Sequence, residues 1–249
     1  MFIGGSVEQK LGGKMFDFFK SNEVIWLLYV LINYSVILFA YRKWGKVGLM
    51  IFAPISIILA NVQVNKLVYL FGIETTLGNI AYSSIFLISD ILSENYGKKA
   101  ASKVVGIGFL TMIFTTVVMN IALILAPSSN DTSQVHLAAI FTPFIRFTVA
   151  SLLAYVISSN VDINLYQIIK KIYPDFNNIW IRNNLSTLLS QVLDNLIFNF
   201  VAFYGVFPIS LILTITFSTY FLKIITSAID TPFVYIATYW KNKGVIEEI

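Results

Sequence analysis

The 249-residue chain is 57% apolar and 15% aromatic, with only 12% charged residues and a mean hydropathy of +0.77; soluble domains carry roughly 25% charge. Charges this sparse exclude a soluble enzyme and a disordered chain and leave an all-α polytopic membrane protein. The net charge of +4 is spread over short loops, so it sets membrane topology and implies no nucleic-acid partner.

Seven apolar segments follow in chain order, at residues 24–41, 47–71, 77–95, 104–126, 137–165, 185–206 and 209–240. Each reaches or exceeds the ~18 residues that mark a membrane-spanning helix. The expected architecture is a six-helix core over residues 47–240. It is preceded by an N-terminal segment, 1–46, with one extra membrane helix, and followed by a short tail, 241–249. Loop charges alternate: Arg42, Lys43 and Lys46 before segment two, Lys98, Lys99 and Lys103 after segment three, Lys170, Lys171 and Arg182 after segment five, and Lys241 and Lys243 at the end. Basic loops stay inside. A multi-pass protein of the cell (inner) membrane with a cytoplasmic C-terminus is therefore expected.

Segment one, flanked by Lys10, Lys14 and Lys20, ends in Arg42-Lys43 rather than at a small-residue cleavage site. An uncleaved spanning helix with its N-terminus outside is favoured over a signal peptide, with an interfacial helix as the alternative. Segment two carries Asn61, Asn65 and Lys66. Segment three sets Asp90 and Glu94 at i, i+4 on one face, continued by Ser83 and Phe86. Segment five contains Arg146 and a stripe of Ser151, Tyr155, Ser158 and Asp162, beside a close-approach pair, Ala150 and Ala154. Segment six aligns Thr187, Gln191, Asp194 and Phe198, with Asn195 and Asn199 adjacent. Segment seven aligns Thr216, Tyr220, Lys223, Ser227 and Asp230, and Pro232 inside it is read as a bend or a gate hinge.

A charge in mid-bilayer costs at least about 2.5 to 3.5 kcal/mol and faces a bundle interior. Asp90, Glu94, Asp162, Asp194 and Asp230 stand against Lys66, Arg146 and Lys223, a surplus of two negative charges. At about 1.5 Å per residue, Asp90, Arg146, Asp194 and Lys223 fall in one belt near the midplane, where transporter sites lie. Glu94, Asp162 and Asp230 fall nearer the basic ends. A polar internal cavity is expected. Without cysteine, and with His136 alone beside a loop, no metal site, disulfide or cofactor is expected, and no phosphate loop or hydrolase motif appears.

Four motifs together resemble the vitamin uptake transporter family, whose characterised members are queuosine precursor transporters. They are Leu59-Ala60-Asn61, the stretch from Ile88 to Ala100 that includes Asp90-Ile91-Leu92-Ser93-Glu94-Asn95-Tyr96-Gly97, the run from Arg182 to Phe198, and Leu222-Lys223 with Ile229-Asp230-Thr231-Pro232-Phe233. Ser158 to Asp162 adds to them. The resemblance implies a six-helix importer of a 7-deazaguanine base, namely the nitrile base preQ0, its aminomethyl product preQ1, or queuine. Segment one departs from the shorter members. A guanine-like edge presents two donors that a carboxylate can accept, and a carbonyl that needs a donor. Asp194 or Glu94 is read as the acceptor, Gln191 and Asn61 as orienting groups, Asp90 as the partner of an aminomethyl cation or a proton carrier, and Lys223 as the balancing cation. Arg146, Asp162, Asp230 and Pro232 are assigned to coupling or gating. Partners are the small-molecule substrate and membrane lipid, with homo-oligomerisation open. Two other readings stay open: a substrate-binding subunit needing an energy-coupling ATPase, and an intramembrane enzyme on lipid substrates.

Overall fold

The computed structural model describes residues 21–64, 66–142, 144–205 and 208–247. The basic flank Lys10, Lys14 and Lys20, together with Asn65 and the end of predicted segment six at Val206, lies outside them.

Helix α1 (Asn22–Gln63) contains predicted segments one and two, and Ser21 caps it by accepting from the Val24 N–H. Gly45 interrupts it at φ 51°, ψ −136°, a conformation that glycine reaches and a residue with a Cβ resists. The chain reverses there. The Gln63 amide donates to Tyr29 Oη at 2.8 Å across a separation of 34 residues, which a straight helix would stretch over about 51 Å. Next to the turn, a Cβ on Gly48 would strike the Ala40 carbonyl oxygen. Gly48→Val is expected to destabilise the protein by about 1 to 3 kcal/mol through this overpacking. A thermal melt in detergent measures it, and an unchanged midpoint would mean that the two arms do not touch tightly.

Segment two is predicted to run to residue 71, but α1 ends at Gln63. Strands β1 (Leu67–Leu70) and β2 (Ile73–Thr76) pair antiparallel, with Leu70 opposite Ile73. The loop between them is Phe71-Gly72, both at positive φ, the two-residue connection that matches strand twist. A short apolar run does not by itself separate strand from helix, which is why hydropathy extends the helix here. Lys66 consequently lies past the helix and is exposed, not inside a span. The hairpin ties down the start of α1, where Asn22 Nδ2 donates to the Tyr69 carbonyl and the Phe71 N–H donates to the Glu23 carboxylate.

The remaining helices are α2 (Asn79–Tyr96), α3 (Lys98–Ile124), α4 (Gln134–Phe141), α5 (Phe144–Ile172), α6 (Ile179–Phe203) and α7 (Ile209–Asn242). Predicted segment five holds two helices, the short α4, which ends at Phe141, and the long α5, which starts at Phe144. Segment six begins at Ile179 rather than at residue 185, and α7 continues through Pro232 as one helix. Among the described residues, five stretches, 22–63, 98–124, 145–172, 176–203 and 212–242, are long and apolar enough to cross a membrane. The first, reversed at Gly45, has the length of two crossings. Helix α2 is less apolar because it is central: Ile80, Ala81 and every residue from Ser83 to Ser93 are buried, so it needs no lipid-compatible face. It packs against α1, α3, α5 and α7. The first arm of α1 covers it, with Tyr34 Oη and Ser83 Oγ sharing a 2.8 Å hydrogen bond.

Arg42, Lys43, Lys46 and Lys241 gather at one end of the bundle. Lys46 and Lys241 lie over the Tyr96 ring, Arg42 lies over Trp240, and Lys43 pairs with Glu247 at 3.0 Å. The turn of α1, the end of α2 and the end of α7 therefore meet there.

Candidate functional site: a layered polar interior

Helices α2, α5, α6 and α7 each turn one polar stripe inward, and helical register sorts these stripes into three levels. The first centres on Asp194 of α6. Its Oδ1 accepts from Tyr82 Oη at 2.6 Å and from Ser158 Oγ at 3.0 Å, and its Oδ2 accepts from Lys223 Nζ at 2.5 Å. Lys223 also sits over the Tyr82 ring, 4.9 Å from its centroid. Both charges are almost fully buried. A charge pair survives in such surroundings when its remaining lone pairs and protons are hydrogen-bonded, which Tyr82 and Ser158 achieve for the carboxylate.

This pair forms part of the wall of a cavity of about 300 Å³. Four amides share that wall. Asn61 donates to the Ile57 carbonyl, Asn79 to Thr75 Oγ1, Asn195 to the Gln191 carbonyl and Asn199 to Thr216 Oγ1. Each thus has one N–H committed to the protein, which fixes its orientation, and Asn79, Asn195 and Asn199 turn a carbonyl oxygen that can act as an acceptor. Tyr82, Phe147 and Phe198 supply aromatic wall.

The second level lies about 12 Å further along α2, towards the basic end. Asp90, Asp162 and Asp230 are each at most 1% exposed. Thr187 Oγ1 donates to Asp90 at 3.3 Å, Ser190 Oγ to Asp162 at 3.1 Å, and Asn183 Nδ2 to Asp230 at 2.7 Å. The first two levels are cross-linked reciprocally: α5 sends Ser158 to Asp194 of α6, while α6 sends Ser190 to Asp162 of α5. In each helix the serine and aspartate stand at i, i+4, so both bonds form from one shared face.

The third level is Glu94, clamped by Arg182. Arg182 Nη2 donates to Glu94 Oε1 at 2.6 Å and Nε to Oε2 at 2.8 Å, while Nη1 donates to the carbonyls of Tyr173 and Asp175. Tyr166 Oη and Lys170 complete the carboxylate's shell.

The predicted belt is thus partly assembled. Asn61, Asp194 and Lys223 meet at the cavity, whereas Asp90 and Gln191 lie deeper and Glu94 deeper still. Arg146 does not join them: it is exposed and donates to the carbonyls of Val201 and Tyr204 at the end of α6. Counting from residue 137 buries it, but α5 starts at Phe144, only two residues before it. Pro232 and Asp230 lie beside Thr231, which accepts from Asn183 and Asn184. Sequence reasoning assigned no site role to Tyr82, Arg182 or Asn183, and counted Arg182 only as a loop charge and part of a family motif. A signal for Arg182 exists, since extending the period of α6 backwards puts Arg182, Ser186 and Ser190 on one stripe. Among the described residues no cluster of three acids or histidines is arranged to hold a metal ion.

The sequence model of the family described as "Putative vitamin uptake transporter" matches residues 76–237, which takes in all three levels. The chain belongs to this family. It is 39% identical over 216 residues to the "Probable queuosine precursor transporter" of Bacillus subtilis (strain 168), covering 87% of this chain and 94% of that protein. No solved structure matches it. The protein is therefore a multi-pass membrane transporter of a small molecule, not an enzyme.

Proposed function

We propose that this transporter imports a 7-deazaguanine queuosine precursor across the cell membrane and binds it in the cavity bounded by Asn61, Tyr82, Asp194, Asn195, Asn199 and Lys223. The observation that carries this reading is the Asp194–Lys223 pair in the cavity wall. The Lys223 ammonium has three protons and gives one to Asp194, and Asp194 Oδ2 accepts one bond and keeps a further lone pair. A donor and an acceptor thus stand side by side, the complement of a guanine-like carbonyl and its neighbouring N–H groups. The amide carbonyls add acceptors for the exocyclic amine, and Tyr82, Phe147 and Phe198 suit a flat ring. The volume is at the lower end of ligand pockets, about 300 to 1,000 Å³, which fits one base rather than a nucleotide.

Titration of the purified protein with preQ0, preQ1, queuine, guanine and adenine tests this. At least one deazaguanine base is expected to bind, and adenine, with donor and acceptor exchanged on that edge, to bind poorly. Equal affinity for adenine would overturn the assignment.

The loop charges give the orientation: the ends carrying Arg42 to Lys46, Lys98 to Lys103, Lys170, Lys171, Lys241 and Lys243 are cytoplasmic. The cavity then lies in the outer half of the bundle, above the buried acids. A C-terminal reporter active only in the cytoplasm is expected to work, and a reporter active only outside would reverse the topology. The ATPase-dependent reading draws no support from a specific observation.

A further inference from the structure

The second level contains more acceptor than donor. After the bonds from Thr187, Ser190 and Asn183 are counted, Asp90 Oδ1 and Asp162 Oδ2 are buried without a donor. The three carboxyl groups are brought together by one stripe of α6, whose successive residues Asn183, Thr187 and Ser190 bond Asp230, Asp90 and Asp162. Independently of the acids, Asn183 Oδ1 and Gln191 Oε1 are buried acceptors without a partner. Asn183 is 0% exposed, and its amide nitrogen is already bonded to Asp230, so its carbonyl oxygen belongs to the same cluster. Unpaired buried acceptors of this kind cost about 1 to 3 kcal/mol each. Carboxylic O–H groups are donors that would satisfy them.

Among the described residues no cation faces the cluster. From α6, Arg182 is committed to Glu94 and to two carbonyls, and from α7, Lys223 is committed to Asp194. From α1 comes Tyr34, bonded to Ser83, and from α5 comes Tyr166, bonded to Glu94. The buried face of α3 is Ala100, Ala101, Val104, Val105, Gly108 and Met112, which carries no titratable group. Carboxyls buried one turn apart along the same helix face, with no counterion, cannot all be ionised, and among the described residues no group of three acids is arranged to hold a metal ion.

We propose that the Asp90–Asp162–Asp230 cluster holds a proton whose inward movement is coupled to substrate import. The proposal rests on the import reading above. The proton joins a carboxylate oxygen from water that enters by the outer cavity, and it leaves the same oxygen to water on the cytoplasmic side, so one positive charge moves inward per cycle. The reciprocal serine bonds connect the two levels: Ser190 contacts Asp162 and stands one turn from Asp194, and Ser158 contacts Asp194 and stands one turn from Asp162. A change at the Asp194–Lys223 pair on substrate binding is thereby transmitted to the acids.

Two measurements test this on the full chain. Infrared spectroscopy of the substrate-free protein at neutral pH is expected to show a protonated-carboxyl band that is lost or shifted in Asp90→Asn and in Asp162→Asn. A parent without that band would overturn the proposal whatever the substrate is. In proteoliposomes with the membrane potential clamped, a gradient of about one pH unit, acid outside, is expected to raise steady-state accumulation of neutral preQ0 about tenfold at one proton per base. In Asp162→Asn that accumulation is expected to vanish while preQ0 binding persists. Accumulation indifferent to the pH gradient, or driven by sodium instead, would overturn the coupling. A parent that shows the carboxyl band but binds none of the deazaguanine bases would overturn the import reading instead.

Discussion

Arg182→Met is expected to destabilise the protein by about 3 to 5 kcal/mol, the range for removing one partner of a buried pair. Arg182 is 1% exposed and spends its guanidinium on both Glu94 oxygens and on the carbonyls of Tyr173 and Asp175. One side chain thus joins the end of α2, the connection after α5 and the first turn of α6. Methionine fills much of the volume but leaves Glu94 charged, with Tyr166 and the partly exposed Lys170 as its remaining partners. Thermal unfolding in detergent measures the loss. The double variant Arg182→Met/Glu94→Gln is expected to recover a large part of it, because the uncompensated charge is gone. A single variant as stable as the parent would mean that the pair contributes nothing to the fold.

Asp194→Asn is expected to weaken binding of the deazaguanine base by roughly 2 to 4 kcal/mol, about 30- to 1,000-fold. One oxygen can still accept from Tyr82 and Ser158, but the new amide N–H₂ faces the Lys223 ammonium, a donor against a donor. Both halves of the recognition pair are therefore lost at once. Asp194→Glu keeps the charge and is expected to bind better than Asp194→Asn. Equilibrium titration of the folded variants, with thermal midpoints recorded beside it, separates recognition from stability. Parent-like affinity in Asp194→Asn at the same pH would move Asp194 from recognition to helix pairing.

Much of this interior is legible in the sequence because the membrane restricts where charges go. An aspartate in a long apolar run has to face inward, and period 3.6 then aligns Ser158 with Asp162 and Gln191 with Asp194. The pairing of Asp194 with Lys223 follows from similar depths on two helices. Depth fails where a segment boundary fails: Arg146 is misplaced because one helix ends at Phe141 and another starts at Phe144 within the run from which it is counted. Arg182 and Asn183 are not read as interior groups for the opposite reason, since the stretch before residue 185 is polar enough to read as a loop although α6 already contains it. The hairpin at 67–76 is missed because hydropathy carries no information on backbone reversal, which the positive φ values of Phe71 and Gly72 determine.

The position of α2 also bears on how the chain enters the membrane. Its 18 residues include Asp90 and Glu94, and on insertion scales each acid near a helix centre opposes partitioning by a few kcal/mol. Gly97, at φ 79°, is the only residue between α2 and the far more apolar α3. So short a link delivers the two helices to the translocon as a single hairpin, and α3 supplies the hydrophobicity that α2 lacks. Biogenesis of the central helix is therefore a property of the pair, and polar substitutions in α3 would be felt first as failed insertion of α2.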